Sequence, residues 1–384
     1  MTRHTLSLLP ILLLAAACRT PPRPLPNAAG PIDARATPET RALFTNMRRM
    51  AGRQIMFGHQ DDLAYGFGWT AEPGRSDVKE SAGAYPAVYG WDASRLERGD
   101  SLDIDGVSFA RQRAWIADGY RRGGVITMSW HMDNPLTGRD AWDTTSAIAA
   151  VLPGGAKHEQ YLRWLDAFAR HVSTLRGTGR SGTETLVPVI FRPFHEMSGG
   201  WFWWGTGHAT AEQYVALWRM TVAYLRDTKQ VHNVLYAYST DKFDSPADYL
   251  ARYPGDAWVD VLGFDDYQSV KSPAMRDVLV RRLRDVATLA AAKGKIAALT
   301  ETGVEGMPDS LWFTGTLLPA LDADSLTRRT SYVMAWRNAH QDAAHPSHFF
   351  TARPGHPSAA DIARFRASPL IAFEDELPDM YRLP

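Results

Sequence analysis

The sequence predicts an α/β fold, a single (β/α)₈ TIM barrel, and three observations support that prediction. Eight short runs rich in β-branched and aromatic residues recur along the 384 residues. Helical patterns, with apolar residues three and four positions apart, separate most of these runs. Strands that alternate with helices form a parallel sheet, and eight of them close into a barrel. The alternative is a doubly wound open sheet, but FGHQDDLAYGFG, after the first run, lacks the glycine spacing of a phosphate loop.

Each predicted strand is short and ends in polar or aromatic residues. In chain order they are QIMFGHQ (54–60), YPAVYGWD (85–92), GVITMSWH (124–131), VPVIFRPFHE (187–196), NVLYAYST (233–240), VDVLGFDDY (259–267), IAALTETG (296–303) and SYVMAWRN (331–338). Helical patterns precede the third, fourth, fifth and seventh strands, and Gly123, Gly177 and Gly294 are predicted to end three of those helices. Another helix is predicted to open the domain, with Thr37 as its N-cap and Pro38 in its first turn.

The N-terminal segment is predicted to lie outside this fold. A short basic start, an apolar run at 6–14 and three alanines before Cys18 are typical of a secretory signal, and the run is too short to span a bilayer permanently. The placement of Cys18 resembles a bacterial lipobox, in which the cysteine is lipidated; an ordinary signal cleaved near Ala17 is the alternative. We therefore expect a signal peptide at 1–17, a lipidated Cys18 with a Pro-rich linker at 18–36, and one catalytic domain at 37–384.

Composition excludes some partners without choosing a function. Lys and Arg together number 42, as do Asp and Glu, so the chain has no basic excess that would point to nucleic acid. The only cysteine is Cys18, so no disulfide can form within the chain. Thirteen Trp exceed what core packing usually requires, and aromatic platforms are typical of sugar-binding clefts.

The residues at the strand ends predict where chemistry takes place, because barrel enzymes build their active sites from the C-terminal ends of the strands and the loops that follow. These ends are rich in carboxylates, histidines and aromatic residues, whereas the strand interiors are apolar. In chain order they include His59, Asp61, Asp62, Trp91, Asp92, Trp130, His131, Asp133, His195, Glu196, Asp241, Asp265, Asp266, Tyr267, Glu301, Trp336, Arg337 and Asn338.

Two glutamates stand out at this rim. Glu196 follows the fourth strand and Glu301 lies at the end of the seventh, and these strands face each other across the mouth of an eight-stranded barrel. Hydrolysis of a glycosidic bond needs one protonated acid and one carboxylate flanking that bond. A separation of roughly 5–5.5 Å between the two carboxyl groups would indicate a covalent, retaining mechanism.

Other chemistries have weaker support. His59, His131 and His195 could form a metal set, but His195-Glu196 lacks the second histidine of the HExxH motif. The chain has no G-x-S-x-G motif, and its lone cysteine lies outside the predicted barrel, which argues against serine or cysteine nucleophiles. The consecutive aromatic residues 201–204 cannot all face one core, so some of them are expected to face solvent or a ligand.

Around these residues the chain resembles glycoside hydrolase family 26, whose typical members are β-mannanases of the large retaining (β/α)₈ clan. The stretch RPFHEMSGGWFWWG carries the resemblance most strongly, and Ser198 within it departs from the Asn of many relatives. Further matching stretches, over roughly 54–381, are FGHQDD, SWHMDNP, GFDDY, LTETG, AWRN and the tail HFFTARPGHPSAADIARFRASPLIAFEDELPDMY.

The resemblance implies a role for nine residues, beginning with Glu196 as the acid/base and Glu301 as the nucleophile. Tyr267 would hydrogen-bond the nucleophile, and His195 would lie beside the acid/base. The remaining positions would contact the sugar: Trp336 under the reacting unit, Trp201 on the leaving-group side, and His131, Asp265 and Arg337 along the subsites.

We therefore expect a monomeric retaining glycoside hydrolase, without cofactor or metal, that cleaves β-1,4-mannosidic bonds in mannan, galactomannan or manno-oligosaccharides by double displacement. A β-glucanase or β-xylanase on the same scaffold and a non-catalytic mannan-binding lipoprotein are the alternatives. The signal and lipobox predict secretion across the inner membrane and a lipid anchor in the outer membrane as the only membrane contact. Flanking aromatic residues are expected to raise the pKa of Glu196, and Tyr267 or Arg192 to keep Glu301 ionised.

Overall fold

In a computed structural model, which describes residues 30–339 and 346–383, the eight predicted strands form one closed parallel barrel. The segment that contains the predicted signal, Cys18 and most of the linker lies outside the described residues. The barrel strands are β1 (Ile55–Gln60), β2 (Val88–Asp92), β3 (Val125–Trp130), β4 (Val189–Pro193), β5 (Val234–Thr240), β6 (Val261–Asp266), β7 (Ile296–Thr302) and β8 (Thr330–Ala335). They pair in chain order, and β8 also pairs with β1, which closes the barrel.

The helices surround the barrel, and two of their three predicted glycine ends are confirmed. Gly123 and Gly294 adopt the left-handed conformation directly after a helix, at φ of 105° and 69°. The helices are α1 (Pro38–Met50), α2 (Asp77–Ala82), α3 (Phe109–Arg122), α4 (Ile148–Val151), α5 (His158–Ser173), α6 (Ala211–Ala223), α7 (Pro246–Tyr249), α8 (Arg276–Lys293), α9 (Leu318–Leu321) and α10 (Ala359–Arg366). Within the described ranges, no helix combines the length and apolarity that crossing a membrane requires.

The prediction for Gly177 was wrong. The preceding helix, α5, ends at Ser173, and Gly177 lies in a short strand, 176–178, that pairs with 184–186 as an antiparallel hairpin. The intervening GTGRSGTE is rich in turn residues flanked by threonines, a pattern typical of a hairpin. The connection before β4 is therefore a helix and a hairpin, and the helix ends earlier than the glycine suggested.

The helix α1 closes the end of the barrel where the strands begin. Thr37 caps it, its hydroxyl accepting from the Thr40 N–H, and Pro38 occupies the first turn, as the sequence predicted. Its buried side chains, including Leu43 and Met47, join an apolar cluster with the inward-facing residues of the strands. With this end closed, the open mouth lies at the C-terminal ends of the strands.

All eight barrel strands are buried along their whole length, because helices cover the outside and side chains fill the inside. The outer layer packs aromatic rings between strand and helix: Phe191 in β4 stacks on Phe168 in α5 at 4.0 Å. Arg192, the next residue, points the other way, and its guanidinium is 1% exposed inside the barrel. A buried cation needs partners, and those partners lie at the mouth.

Candidate active site

A cleft of about 370 Å³ opens at the C-terminal ends of the strands. Both predicted glutamates line this cleft. Residues after β3 and β4 form one wall, and residues after β6, β7 and β8 form the other. The lining residues are His131, Trp142, His195, Glu196, Trp201, Phe202, Tyr267, Lys271, Glu301, Gly303, Val304, Glu305, Trp336 and Phe350. The cleft therefore brings together seven of the nine site residues that the sequence predicted; Asp265 and Arg337 lie outside its lining.

Glu196 is held in a strained turn just after β4. Its φ is 54° and that of Phe194 is 50°, values that residues other than glycine seldom adopt. The turn persists because the Glu196 N–H donates to the Ser239 carbonyl at 2.9 Å, and the Glu196 carboxylate accepts from the Trp201 indole N–H at 2.6 Å. Backbone and side chain are thus both fixed, and the carboxyl group faces the cleft.

Glu301 approaches the same point from the opposite wall. Where β7 pairs with β6, Phe264 lies opposite Leu299 but Asp265 lies opposite Glu301, so Thr300 is an extra residue in the ladder. Bulges of this kind re-aim side chains beside active sites. The Glu301 carboxylate accepts a charge-assisted hydrogen bond from Arg192 and a second hydrogen bond, at 2.8 Å, from the Tyr267 hydroxyl. Both partners donate to this carboxylate, which fixes its orientation in the cleft.

Asp265 lies beneath the cleft. It is fully buried, and its oxygens accept from Arg192, Ser239 and Thr300 at 2.8, 3.0 and 2.7 Å. One guanidinium thus contacts the carboxylates of Asp265 and Glu301 together. Burial raises the pKa of Asp265 to about 7, because desolvation outweighs the nearby Arg192 charge.

The electrostatic surroundings of the two glutamates differ. Burial raises the pKa of Glu196 well above its usual value, and the neighbouring Asp265 and Glu301 charges add to that effect. No cation pairs with Glu196 among the described residues; its side-chain partner is the neutral Trp201. Glu301, by contrast, contacts the Arg192 cation. The site therefore holds one glutamate with a raised pKa, without a cationic partner among the described residues, beside a second glutamate paired with Arg192.

The separation of the glutamates fits one of the two known geometries for glycosidases. One carboxyl oxygen each from Glu196, Asp265 and Glu301 all lie within 4.8 Å of one another. Retaining enzymes hold the catalytic pair roughly 5–5.5 Å apart, whereas inverting enzymes leave roughly 6.5–9.5 Å for a water molecule. Three carboxylates could also attract a cation, but the Arg192 guanidinium already pairs with two of them.

Two histidines form one wall beside Glu196. The Nε2 atoms of His131 and His195 lie 3.2 Å apart, and His131 Nδ1 lies 2.8 Å from an Asp92 oxygen. Burial alone would lower the pKa of His131, but the Asp92 carboxylate outweighs it and raises that pKa. Burial, aided by the Arg192 charge, lowers the pKa of His195. These opposite shifts favour a proton on His131 rather than on His195, while His59, bonded to Asp62, is not part of this pair.

The aromatic run after Glu196 divides as the sequence predicted. Trp201 is 38% exposed, whereas the next three residues are buried. Phe202 lines the cleft, and the indoles of Trp203 and Trp204 donate to the carbonyls of Met132 and His195 at 3.0 and 2.8 Å. One tryptophan thus offers a face to a ligand, and two anchor the loop that carries it. The Ser198 hydroxyl, in the same loop, is buried without a partner among the described residues.

Arg337 is turned away from the glutamates. It contacts an Asp105 oxygen at 3.1 Å and the Tyr65 hydroxyl at 3.4 Å, on the side of the mouth formed after β1 and β2. Trp336, its neighbour, does line the cleft. Consecutive residues after a strand alternate in direction, which separates this pair.

Sequence reasoning missed several lining residues that lie on loops. Trp142, in the loop after β3, is 47% exposed and stacks on His131 at 5.4 Å. Phe350 packs edge-on against Tyr267 at 5.9 Å. Asp92 was predicted only as one of the polar strand ends, without a role, and the structure shows that it orients His131. The position of Asp92 at the end of a buried strand was the signal that could have predicted its role. The sequence gives no such signal for Trp142, because its loop lies far from any strand end.

A family profile, a curated protein and solved structures that resemble this chain all point to the same family. Residues 32–313 match the profile of Glycosyl hydrolase family 26. A mannan endo-1,4-β-mannosidase from Bifidobacterium adolescentis is 40% identical over 332 residues, which is 81% of this chain but 32% of that protein. The chain thus spans about a third of that relative's length. Among solved structures, a GH26 β-mannanase from Bacteroides ovatus has a TM-score of 0.84 and 44% identity, over 90% of this chain and 98% of that one. A modular endo-β-1,4-mannanase from Cellulomonas fimi has a TM-score of 0.82 and 37% identity, over 92% of this chain and 79% of that one.

Proposed function

The chain belongs to glycosyl hydrolase family 26, and from this premise we propose that it is a retaining endo-β-1,4-mannosidase. The observation that supports this best is the pair Glu196 and Glu301, whose carboxyl oxygens lie within 4.8 Å across the floor of the cleft. Mannan, galactomannan and manno-oligosaccharides are the proposed substrates, because the relatives that match over most of this chain are named for mannan hydrolysis.

In the first step, Glu301 acts as the nucleophile and Glu196 as the acid. The Glu301 carboxylate attacks the anomeric carbon while Glu196 delivers its proton to the glycosidic oxygen, so the bond to the leaving sugar breaks as a covalent glycosyl-enzyme forms. Arg192 and Tyr267 orient Glu301 for this attack. The raised pKa of Glu196 favours its protonated form, as its role in this step requires.

In the second step, Glu196 acts as the base. It takes a proton from water, which attacks the anomeric carbon from the side that the leaving sugar vacated and releases Glu301. Two inversions restore the β configuration. Once Glu301 is esterified its negative charge is gone, which removes one of the charges that raise the pKa of Glu196 and favours the deprotonated base.

The remaining predicted residues have proposed roles in binding the sugar. Trp336 lies under the reacting unit and Trp201 on the leaving-group side, with His131 and His195 forming the wall between them. We assign Asp265 a positioning role through Arg192, because its buried oxygens are taken by protein donors. Arg337 lies on the side of the mouth formed after β1 and β2, away from the two glutamates, so we assign it to a more distant subsite.

We also propose that the protein is a monomeric lipoprotein of the outer membrane. The support is the sequence before residue 37, with a signal at 1–17, a lipidated Cys18 and a Pro-rich linker at 18–36. Metabolic labelling with a radioactive fatty acid tests this assignment. Label in the natural chain that is absent from Cys18→Ser is expected; equal label in both would contradict it.

The substrate assignment is tested by comparing initial rates on polysaccharides of different backbone. Linear mannan, barley mixed-linkage glucan and xylan are supplied at equal mass, and new reducing ends are counted. We expect the highest kcat/KM on mannan, with fragments of many lengths at early times and the β anomer as the first product by NMR. A higher rate on glucan or xylan would overturn the mannan assignment, while mannobiose as the sole early product would overturn internal attack.

Asp265→Asn is expected to narrow the pH range of activity from the alkaline side. Asp265 is one of the charges that keep Glu196 protonated, so its removal lowers the pKa of Glu196. The acid is then lost at a lower pH, and the alkaline limb of kcat/KM shifts down by about one pH unit, which corresponds to about 1.4 kcal/mol. Ser239→Ala, which removes a hydrogen bond to Asp265 but no charge, is the matched control. An alkaline limb that stays in place in Asp265→Asn would contradict this coupling.

A further inference from the structure

The end of the barrel opposite the cleft carries two adjoining clefts rich in arginine. Their volumes are about 300 and 770 Å³, and Arg49 lines both. The acidic residues along them are Glu376 and Asp379, against six basic residues: Arg48, Arg49, Arg53, Lys295, Arg329 and Arg382. We refer to this six-residue surface as the basal face.

The position of the basal face follows from the parallel barrel. Lys295 directly precedes β7 and Arg329 directly precedes β8, while Arg53 lies just before β1. Parallel strands all begin at the same end, so these residues lie opposite Glu196 and Glu301.

Three arginines of this face have no acidic partner among the described residues. Arg49, Arg53 and Arg329 are exposed, and none of them forms an ion pair with the described part of the chain. Leu383, at the edge of the larger cleft, is 53% exposed. Positive and negative residues are equal in number over the whole chain, so the six basic residues against two acidic ones along these clefts are a local excess.

The chain enters the domain at this same end. The Ile32 N–H donates to Asp260 at 2.7 Å and the Thr37 N–H donates to the His232 carbonyl at 2.9 Å. Asp260 and His232 precede β6 and β5. The roughly twelve residues from Cys18 to Gly30 can reach at most about 40 Å, so a lipid on Cys18 would hold this end of the barrel close to the bilayer.

We propose that the basal face docks on the anionic phosphate headgroups of the membrane to which the protein is anchored, with the catalytic cleft pointing away. Basic residues near an anionic bilayer each contribute favourable attraction, and a basic patch is the usual second signal beside a lipid chain. The exposed Leu383 adds apolar contact at the interface. This docking rests on the proposed lipid anchor and adds a second membrane contact to it. It is independent of the glycosidase activity, and it orients the cleft toward polymer in solution.

The test uses the full chain with Cys18→Ser, so that no lipid is attached, in flotation assays with vesicles. Phosphatidylcholine vesicles measure any contribution of the apolar leader, and vesicles that also contain phosphatidylglycerol measure the charge-dependent part. Binding is expected only with phosphatidylglycerol, and to weaken steeply with salt because the Debye length shortens. Binding that is equal on both vesicles, or insensitive to salt, would overturn the proposal.

Matched charge reversals locate the binding surface. R49E/R53E/R329E is expected to lower the partition coefficient on phosphatidylglycerol vesicles at least about 100-fold. R163E/R170E/R276E makes the same change in net charge at exposed arginines on α5 and α8, which also lack ion pairs within the described ranges, and is expected to bind far more strongly. Hydrolysis of mannan by both triple variants shows that they are folded. An equal loss of binding in both would mean that net charge alone drives association, and would overturn a basal site.

Discussion

Glu301→Ala is expected to lower kcat on mannan by at least about 10⁴-fold, the scale on which removal of a catalytic nucleophile acts. Without this carboxylate no glycosyl-enzyme can form, because the neighbouring Asp265 lies beneath the cleft with its oxygens bonded to protein donors. Binding should survive, because the aromatic walls of the cleft are unchanged. Calorimetric titration of a manno-oligosaccharide into the variant, beside the rate measurement, separates turnover from binding.

Two further variants serve as controls for the assignment of Glu301 as the nucleophile. Removal of Glu301 leaves the buried Arg192 with one carboxylate partner fewer, so Glu301→Gln, which keeps the volume and can still accept a hydrogen bond, shows whether the loss reflects folding. Glu305→Ala removes an exposed carboxylate from the same cleft and should retain most activity. Full turnover in Glu301→Gln would contradict the nucleophile assignment. If the natural chain binds the manno-oligosaccharide but does not hydrolyse mannan, the binding-protein alternative is favoured.

The barrel could be predicted because its strands are covered on both faces. Each one therefore appears in the sequence as a short apolar run, and the predictions at 54–60 and 296–303 match β1 and β7 to within one residue. The ends of those runs likewise located the two glutamates, since polar residues directly after a buried strand have few positions open to them other than the mouth.

The fine geometry of the site could not be predicted, because it depends on contacts between distant segments. The extra residue Thr300 is visible only as a register shift against β6, and the left-handed turn at Glu196 is held by a carbonyl on β5. The direction of Asp265, inward to Arg192, depends on a cation 73 residues away in the chain. The end of a strand can thus be predicted from the sequence, but the direction of its side chains is set by the neighbouring strands.

Glu196→Ala is expected to lower kcat on mannan by about 10²–10⁴-fold, the usual contribution of a general acid and base. The loss should depend on the leaving group, which a nucleophile variant would not show. A dinitrophenyl mannobioside needs no proton to depart, so its glycosyl-enzyme still forms and then accumulates, because no base remains to activate water. A rapid burst of dinitrophenolate followed by a slow steady rate is the measurable result.

Azide completes this test because it attacks the glycosyl-enzyme without a base. We expect azide to raise the steady rate of Glu196→Ala and to give a β-mannobiosyl azide, since attack on the intermediate inverts a configuration that Glu301 has already inverted once. Trp201→Phe, which removes the hydrogen bond to Glu196 and keeps a smaller aromatic face, should show neither burst nor azide dependence. An α-configured azide from Glu196→Ala would mean that azide attacked the substrate directly, and the 4.8 Å approach of the two carboxyl groups would then not reflect a double displacement. The β product instead requires a covalent intermediate on one carboxylate and a vacated space beside the other, the arrangement that the strained turn after β4 and the bulge in β7 place around the cleft.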